Sequence, residues 1–287
     1  MGIYELSLAT IIVINIILAL GLNLITGYCG QISLGHAAFF GTGAYVVALM
    51  AKAGLPPVAN LAGAMLVAGA IGIVVGIASL RVRDDFLAIT TMGVGFLFLG
   101  IVRQQDSVLG GEMGLSGIPS MGLEKPAFLV VVLAVALLCT AFSIYIKKSW
   151  MGFAFDAVAT DEDTARLLTV NVPAYKLTAF ALGTAMAGLA GGLYCYFTRF
   201  IMPDDFGFIT SISVLSMVAV GGIGSVPGVI IGTMLLTLLP EMSEFLSDYK
   251  LLFYGALLFA VMRFAPDGLA GVGGSIVNKL KFKGGAA

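Results

Sequence analysis

Long apolar stretches alternate along this chain with short charged segments. No Asp, Glu, Lys or Arg occurs within Leu6–Ala51, Ala53–Leu80, Phe86–Val102, Pro126–Ile146, Leu177–Thr198 or Phe206–Pro240. A hydrocarbon core roughly 30 Å thick takes about 20 helical residues to cross. The first and last stretches therefore have room for two crossings each. Inside lipid only helices and closed barrels satisfy every backbone hydrogen bond. Barrel strands alternate apolar and polar residues at period two. The run "AMLVAGAIGIVVGIASL" at Ala64–Leu80 is instead apolar on every side. The pattern predicts an all-α fold, a polytopic membrane helix bundle of about 8–10 spans.

The segments centre on residues 6–25, 33–51, 58–80, 86–103, 126–146, 176–198, 207–221, 226–240 and 250–265. Two are irregular. The second opens in "GQISLGHAAFFGTGAY", polar and glycine-rich for a helix facing lipid, and "GGIGSVPG" interrupts 207–240. Broken or re-entrant helices are expected there, since irregular backbone at membrane depth survives only where protein or a water-filled cavity shields it. A single transmembrane domain is expected over residues 1–287, with 147–176 as a cytoplasmic loop within it.

Composition narrows the class. Charged residues make up 11% of the chain, against roughly 25% in soluble domains. The net charge of −1 offers no basic footprint for nucleic acid. Cys29, Cys139 and Cys195 lack metal-ligand or CxxC spacing and read as small core residues. The opening "MGIYELSLAT" has no basic region ahead of its apolar run, so a retained first span is expected.

Lys and Arg concentrate in cytoplasmic loops. That rule puts Lys147, Lys148, Arg166 and Lys176, the Arg81–Arg83 segment, and Lys279, Lys281 and Lys283 of the tail in the cytoplasm. The loops 104–125 and 241–249 then lie outside, as does the N-terminus if all segments cross. The C-terminus is cytoplasmic. All-helical spans of this kind fit a bacterial inner membrane better than an outer one.

The loop 147–176 is the most informative soluble segment. Phe155, Val158 and Ala159 can share a helix face. Thr160 and Asp163 have the spacing of a capping box. Asp161, Glu162 and Asp163 fall in the first turn that follows, where the helix dipole favours negative charge. Pro173 predicts a break at Val172. Two readings stand: a helix lying among lipid headgroups, or one that docks on a cytosolic partner. The acidic cluster favours docking, because anionic lipid attracts Lys and Arg rather than Asp and Glu.

Candidate chemistry within the spans is sparse. Asn23, Gln31, Ser33 and His36 are polar residues in a charge-free stretch, and His36 is the chain's one histidine. Polar side chains at membrane depth usually face the bundle interior or a cavity. Asn23 and Ser33 also suit plain hydrogen bonds between helices. The pathway reading is favoured for Gln31, at the expected helix break, and His36 stands open between the two. The pairs Gly188–Gly192 and Gly72–Gly76 have GxxxG spacing, which lets helices approach closely. Nothing matches the phosphate-binding pattern GxxxxGK[ST], so ATP chemistry is expected on a partner. No carboxylate stands within the long spans, which argues against an ion-coupled carrier. A lone histidine there makes a poor catalytic constellation.

Three blocks carry a family resemblance: "LNLITGYCGQISLGHAAFFGTGAY" at Leu22–Tyr45, "FAFDAVATDEDTARLLTVNVPAYKLTAFALGTAMAGLAGGLY" at Phe153–Tyr194, and "GGIGSVPGVIIG" with "FAPDGLAG" at Gly221–Gly232 and Phe264–Gly271. Together they resemble the branched-chain amino acid permease family of ABC importers, its LivM-type subunit in particular. The last motif has Asp267 where the family commonly has a basic residue. The resemblance implies a permease domain that works with a second related permease, two cytosolic ATPase subunits and a soluble solute-binding protein. It implies ATP bound on the partners and no cofactor on this chain. It makes Phe155–Leu168 the ATPase-coupling element, with Phe155, Asp161, Glu162, Thr164, Ala165, Arg166 and Leu168 in the matching stretch. Branched-chain amino acids are the family's usual cargo. Urea, short amides and other small organic solutes use similar permeases.

Overall fold

The computed structural model describes residues 2–80, 84–242, 250–264, 268, 269 and 271. Among them the regular structure is helical, apart from one isolated antiparallel bridge between Leu115 and Ile201. Helix α1 is Ile3–Leu22 and runs on as a wider π-helical stretch, Asn23–Tyr28. Then follow α2 (His36–Lys52), α3 (Pro57–Ser79), α4 (Asp84–Gln104) and the short α5 (Asp106–Leu109). Helix α6 (Lys125–Lys148) leads into two short helices, α7 (Trp150–Thr160) and α8 (Glu162–Leu167), before α9 (Val172–Thr198). Helices α10 (Phe208–Gly221), α11 (Val226–Leu238) and α12 (Lys250–Phe264) complete the described chain. Arg81, Arg83, Asp267 and the tail lysines Lys279, Lys281 and Lys283 lie outside the described residues.

Prolines mark where helices begin. Pro57, Pro126, Pro173 and Pro227 fall in the first turns of α3, α6, α9 and α11. An amide N–H is unpaired there in any case, and the fixed φ suits a helix. This corrects the expected break at Val172, which is already helical. The break comes earlier, at Thr169 with φ 64°. Asn171 then caps α9 by accepting the Ala174 N–H at 3.2 Å.

Contacts sort the helix ends into two sets. At one end Tyr4 meets Glu241, Asn60 meets Tyr196, Arg103 pairs with Asp204, and the Phe128 and Phe197 rings stack. At the other, Gly30 lies on Ala159, Lys147 reaches Gly224 and Gly268 lies on Gly222. We call these the distal end and the α7 end. Among the described residues the chain passes between them at each of the nine expected segments. Among the described residues six helical stretches are long and apolar enough to cross a membrane: Ile3–Tyr28, Pro57–Ala78, Phe86–Gln104, Lys125–Lys148, Val172–Thr198 and Pro203–Gly221. The second pass differs from expectation. Residues 30–35 are not helical, and α2 starts only at His36, close to the Leu18 carbonyl in the body of α1. The break in 207–240 is a turn at 222–225, and α10 and α11 form an antiparallel hairpin around it.

Helix α9 is the central post, packed along α2, α3 and α1. The close approach rests on small residues. The Gly43 and Gly188 backbones touch, and Gly191 lies on the Phe40 carbonyl. Gly188 also abuts Ala64 and Ala68, and Gly72 abuts Thr184. In lipid, where apolar burial gives helices little reason to associate, such contacts let dispersion and packing do so. A leucine at Gly188 would collide with the Ala64 backbone and the Ala68 methyl, and overpacking typically costs about 1–3 kcal/mol. We expect Gly188→Leu to lower the detergent melting temperature markedly, whereas Gly93→Ala, with open space around it, leaves it unchanged. Thermal unfolding read by gel filtration checks both.

Candidate functional site

The first part of the site is the interrupted second pass. After the π-helical stretch the chain turns at Gly30, whose φ of 73° suits a residue without Cβ. The non-helical backbone that follows finds partners on neighbouring elements. The Gln31 N–H donates to the Ile25 carbonyl at 3.1 Å, and the Thr26 hydroxyl donates to the Gln31 carbonyl at 3.0 Å. The Leu34 N–H donates to Thr91 Oγ1 of α4 and the Ala37 N–H to Ser211 Oγ of α10, both at 3.0 Å. Thr26, Thr91 and Ser211 are backbone supports that reading the sequence missed. The available signal was a hydroxyl side chain inside an otherwise apolar helix.

Asn23, Gln31, Ser33 and His36 are all buried here. Asn23 accepts the Gly224 N–H at 2.8 Å. Buried polar atoms normally have hydrogen-bond partners. Yet Asn23 Nδ2, Gln31 Oε1, Ser33 Oγ and both ring nitrogens of His36 have none among the described residues. The Leu18 carbonyl lies near the His36 ring without forming a well-aligned hydrogen bond. The four residues thus sit in one short stretch with polar capacity unused. None of the four lines either of the two cavities at the helix ends described below.

The second part is the hairpin tip at 222–225. Both polar groups of the Gly224 backbone are held by side chains: the N–H by Asn23 of α1, the carbonyl by Lys147 of α6. Lys147 also lies 5.8 Å from the Tyr28 ring centroid, and the Tyr28 hydroxyl bonds Ser143 Oγ at 2.9 Å. A cavity of about 400 Å³ opens beside the tip, lined among others by Tyr28, Lys147, Phe153, Asp156 and Ser225.

The third part is the α7–α8 elbow. Phe155 and Ala165 are buried within the chain, and the Phe155 ring meets Tyr175 of α9 edge-on at 5.9 Å. Glu162 pairs with the largely buried Lys176 of α9 and, at 3.3 Å, with Arg166, which also pairs with Asp163 at 3.0 Å. The expected Thr160–Asp163 capping box is absent. Thr160 closes α7 by donating to the Asp156 carbonyl, and Asp161 caps α8. Asp161 accepts the Asp163 N–H at 2.9 Å, the Thr164 N–H at 3.2 Å and the Thr164 hydroxyl at 2.7 Å. Ala159, expected to share a face with Phe155 and Val158, is exposed, while Ala154 is buried with those two. The outward surface carries Leu167 and Leu168 of the Phe155–Leu168 stretch, together with Trp150 and Phe153, which lie before it and which reading the sequence did not single out. Their signal was large apolar side chains within a charge-bearing loop.

Two predictions follow from the elbow. The Thr164 hydroxyl, then the Thr164 and Asp163 amides, hold the Asp161 carboxyl below the ordinary aspartate range. Its contribution to α8 is therefore complete above that range and disappears as pH falls through the lowered folded value. Hydrogen exchange over 162–168 should quicken selectively at acid pH, and Asp161→Ala should exchange fast at neutral pH too. Removing one member of a buried ion pair costs about 3–5 kcal/mol, whereas replacing both by apolar groups is often neutral. Glu162→Leu should accordingly lower thermal stability, and Glu162→Leu with Lys176→Met should recover most of the loss.

The family described as branched-chain amino acid transport system / permease component matches residues 4–262. The high-affinity branched-chain amino acid transport system permease protein LivM of Escherichia coli K12 is 34% identical, over 98% of this chain and 72% of its own length. The corresponding LivH protein of the same strain is 28% identical, over 89% of this chain and 90% of its own. BraD of Pseudomonas aeruginosa is 27% identical over 89% and 91%. No solved structure matches. The family match along nearly the whole sequence and the long apolar helices lead to one conclusion: this chain belongs to the branched-chain amino acid transport permease family and is a multi-pass membrane protein.

Proposed function

We propose that the chain is the transmembrane permease subunit of an ATP-driven importer for branched-chain or related amino acids. It works by alternating access, beside a second related permease, with ATP hydrolysed by two cytosolic partner subunits and solute delivered by a soluble binding protein. The observation that carries this reading is the elbow. It presents Trp150, Phe153, Leu167 and Leu168 outward, while Phe155, Glu162 and Lys176 tie it to α9. A surface that is apolar outside and anchored inside suits a docking element that passes on a push. In this reading the α7 end is cytoplasmic, and the C-terminus lies on that side.

Movement has two routes inward. One runs through α9 to α2 and α3, which pack along it. The other runs through Lys147 to the 222–225 tip and through Asn23 to the end of α1. Both converge on the interrupted second pass. Asn23, Gln31, Ser33 and His36 are the polar groups we assign to the pathway, since their unused hydrogen-bond capacity gives a passing zwitterion or its water something to bind. Closed and open packings then differ by rigid shifts of helices, and the partner's nucleotide state biases which is populated.

Reconstitution tests the reading. With both permeases, the ATPases and the binding protein in liposomes, ATP-dependent uptake of leucine-like amino acids is expected, and none with this chain alone. Uptake by the isolated chain on an ion gradient would overturn the proposal. Leu167→Asp with Leu168→Asp should abolish co-purification of the ATPase subunits while gel filtration of the permease stays unchanged.

A further inference from the structure

A second cavity, of about 260 Å³, lies at the distal end among α1, α6 and α9. Its lining includes Leu6, Lys125, Phe128, Tyr196, Phe197 and Arg199, and no carboxylate. Lys125 begins α6 and Arg199 ends α9 in the left-handed region at φ 57°. Both are exposed, and neither makes an ion pair among the described residues. Two like charges at one cavity, without a counter-charge, call for an anion. Tyr196 adds to the set. Its oxygen accepts from Asn60 Nδ2 at 2.6 Å, which leaves its O–H to donate elsewhere.

The rest of the lining is mixed: the stacked Phe128 and Phe197 rings and Leu6 face it together with the hydroxyl residues Ser7, Thr10 and Ser120. Below the cavity α6 continues toward the bilayer centre with exposed Val130, Leu133 and Leu137 at helical spacing, a face suited to acyl chains. A small soluble anion has no use for this apolar continuation, whereas a phospholipid uses both parts. We infer that this cavity is a binding site for the headgroup of an anionic phospholipid, its phosphate held by Lys125 and Arg199 and its acyl chains lying along α6 in the distal leaflet. The bound lipid joins the ends of α6 and α9, the two helices that flank the elbow at the other side of the membrane. The inference needs only that the chain spans a bilayer and does not depend on the cargo or the ATPase partners.

The test uses the full permease complex, purified and stripped of lipid, then supplied with phosphatidylglycerol or phosphatidylcholine in detergent micelles. Lipid retention by native mass spectrometry and melting temperature are the readouts. Roughly 1 kcal/mol per cation near an anionic surface converts to about a thirtyfold preference for phosphatidylglycerol from two. We expect that preference, weakened by salt. Lys125→Gln with Arg199→Gln should reduce it to near unity, and the charge-preserving Lys125→Arg with Arg199→Lys should keep it. Soluble glycerol phosphate at millimolar concentration should not stabilise the complex. Equal retention of the two lipids, an undiminished preference in the glutamine variant, or full stabilisation by glycerol phosphate would overturn the inference. So would a glutamine variant that loses affinity for the soluble binding protein while keeping its lipid preference.

Discussion

Backbone polar groups that leave a helix inside a membrane have no water to turn to, and this constraint organises the structure. Residues 30–35 are such a segment, and they and the first turn of α2 find partners from three directions: Thr26 below α1, Thr91 on α4 and, for the Ala37 N–H, Ser211 on α10. The 222–225 turn is another, and Asn23 and Lys147 answer it. An unpaired amide or carbonyl at this depth costs several kcal/mol. The interrupted pass and the hairpin tip thus oblige α1, α4, α6 and α10 to stay together.

The same obligation makes the irregular regions useful. A continuous helix offers side chains only, its backbone being closed on itself. Where the helix is interrupted, side chains such as Gln31, Ser33 and His36 gather with unspent polar capacity. Glycines at 43, 188 and 191 bring the helices around them into backbone contact. Tight contacts of this kind tend to have discrete alternative packings rather than a continuum of distortions, which is what a gated pathway requires. Lys147 links these regions to the elbow, since it leaves α6 one residue before that helix ends and only Ser149 separates α6 from α7.

Much of the architecture was legible from residue order. Charge-free runs located the nine passes, and "GGIGSVPG" located the hairpin tip. Helix starts were legible as well, though the weight given to Pro173 was misplaced: a proline in a first turn opens a helix as readily as it ends one. The capping of α8 went to Asp161 instead of Thr160 because a carboxylate accepting three hydrogen bonds outcompetes a hydroxyl that already has the Asp156 carbonyl one turn back. Phe155 and Ala165 look like contact residues in the sequence, but the fold turns them toward α9.

Hydropathy is a property of each residue and survives in the linear order, so the amino-acid sequence alone determined that this is a helical membrane protein, where its apolar segments lie, and which loop between them gathers acidic and large apolar residues. Which residues meet is a property of helix rotation and depth, and local order does not encode either. Only the tertiary structure decided that Thr91 and Ser211 support a segment far away in sequence, that Asn23 and Lys147 close on one glycine, and that Lys125 and Arg199 share a cavity. The physical reason is the same in each case: a polar group removed from water must find its partner in space, and the helices are placed so that it does.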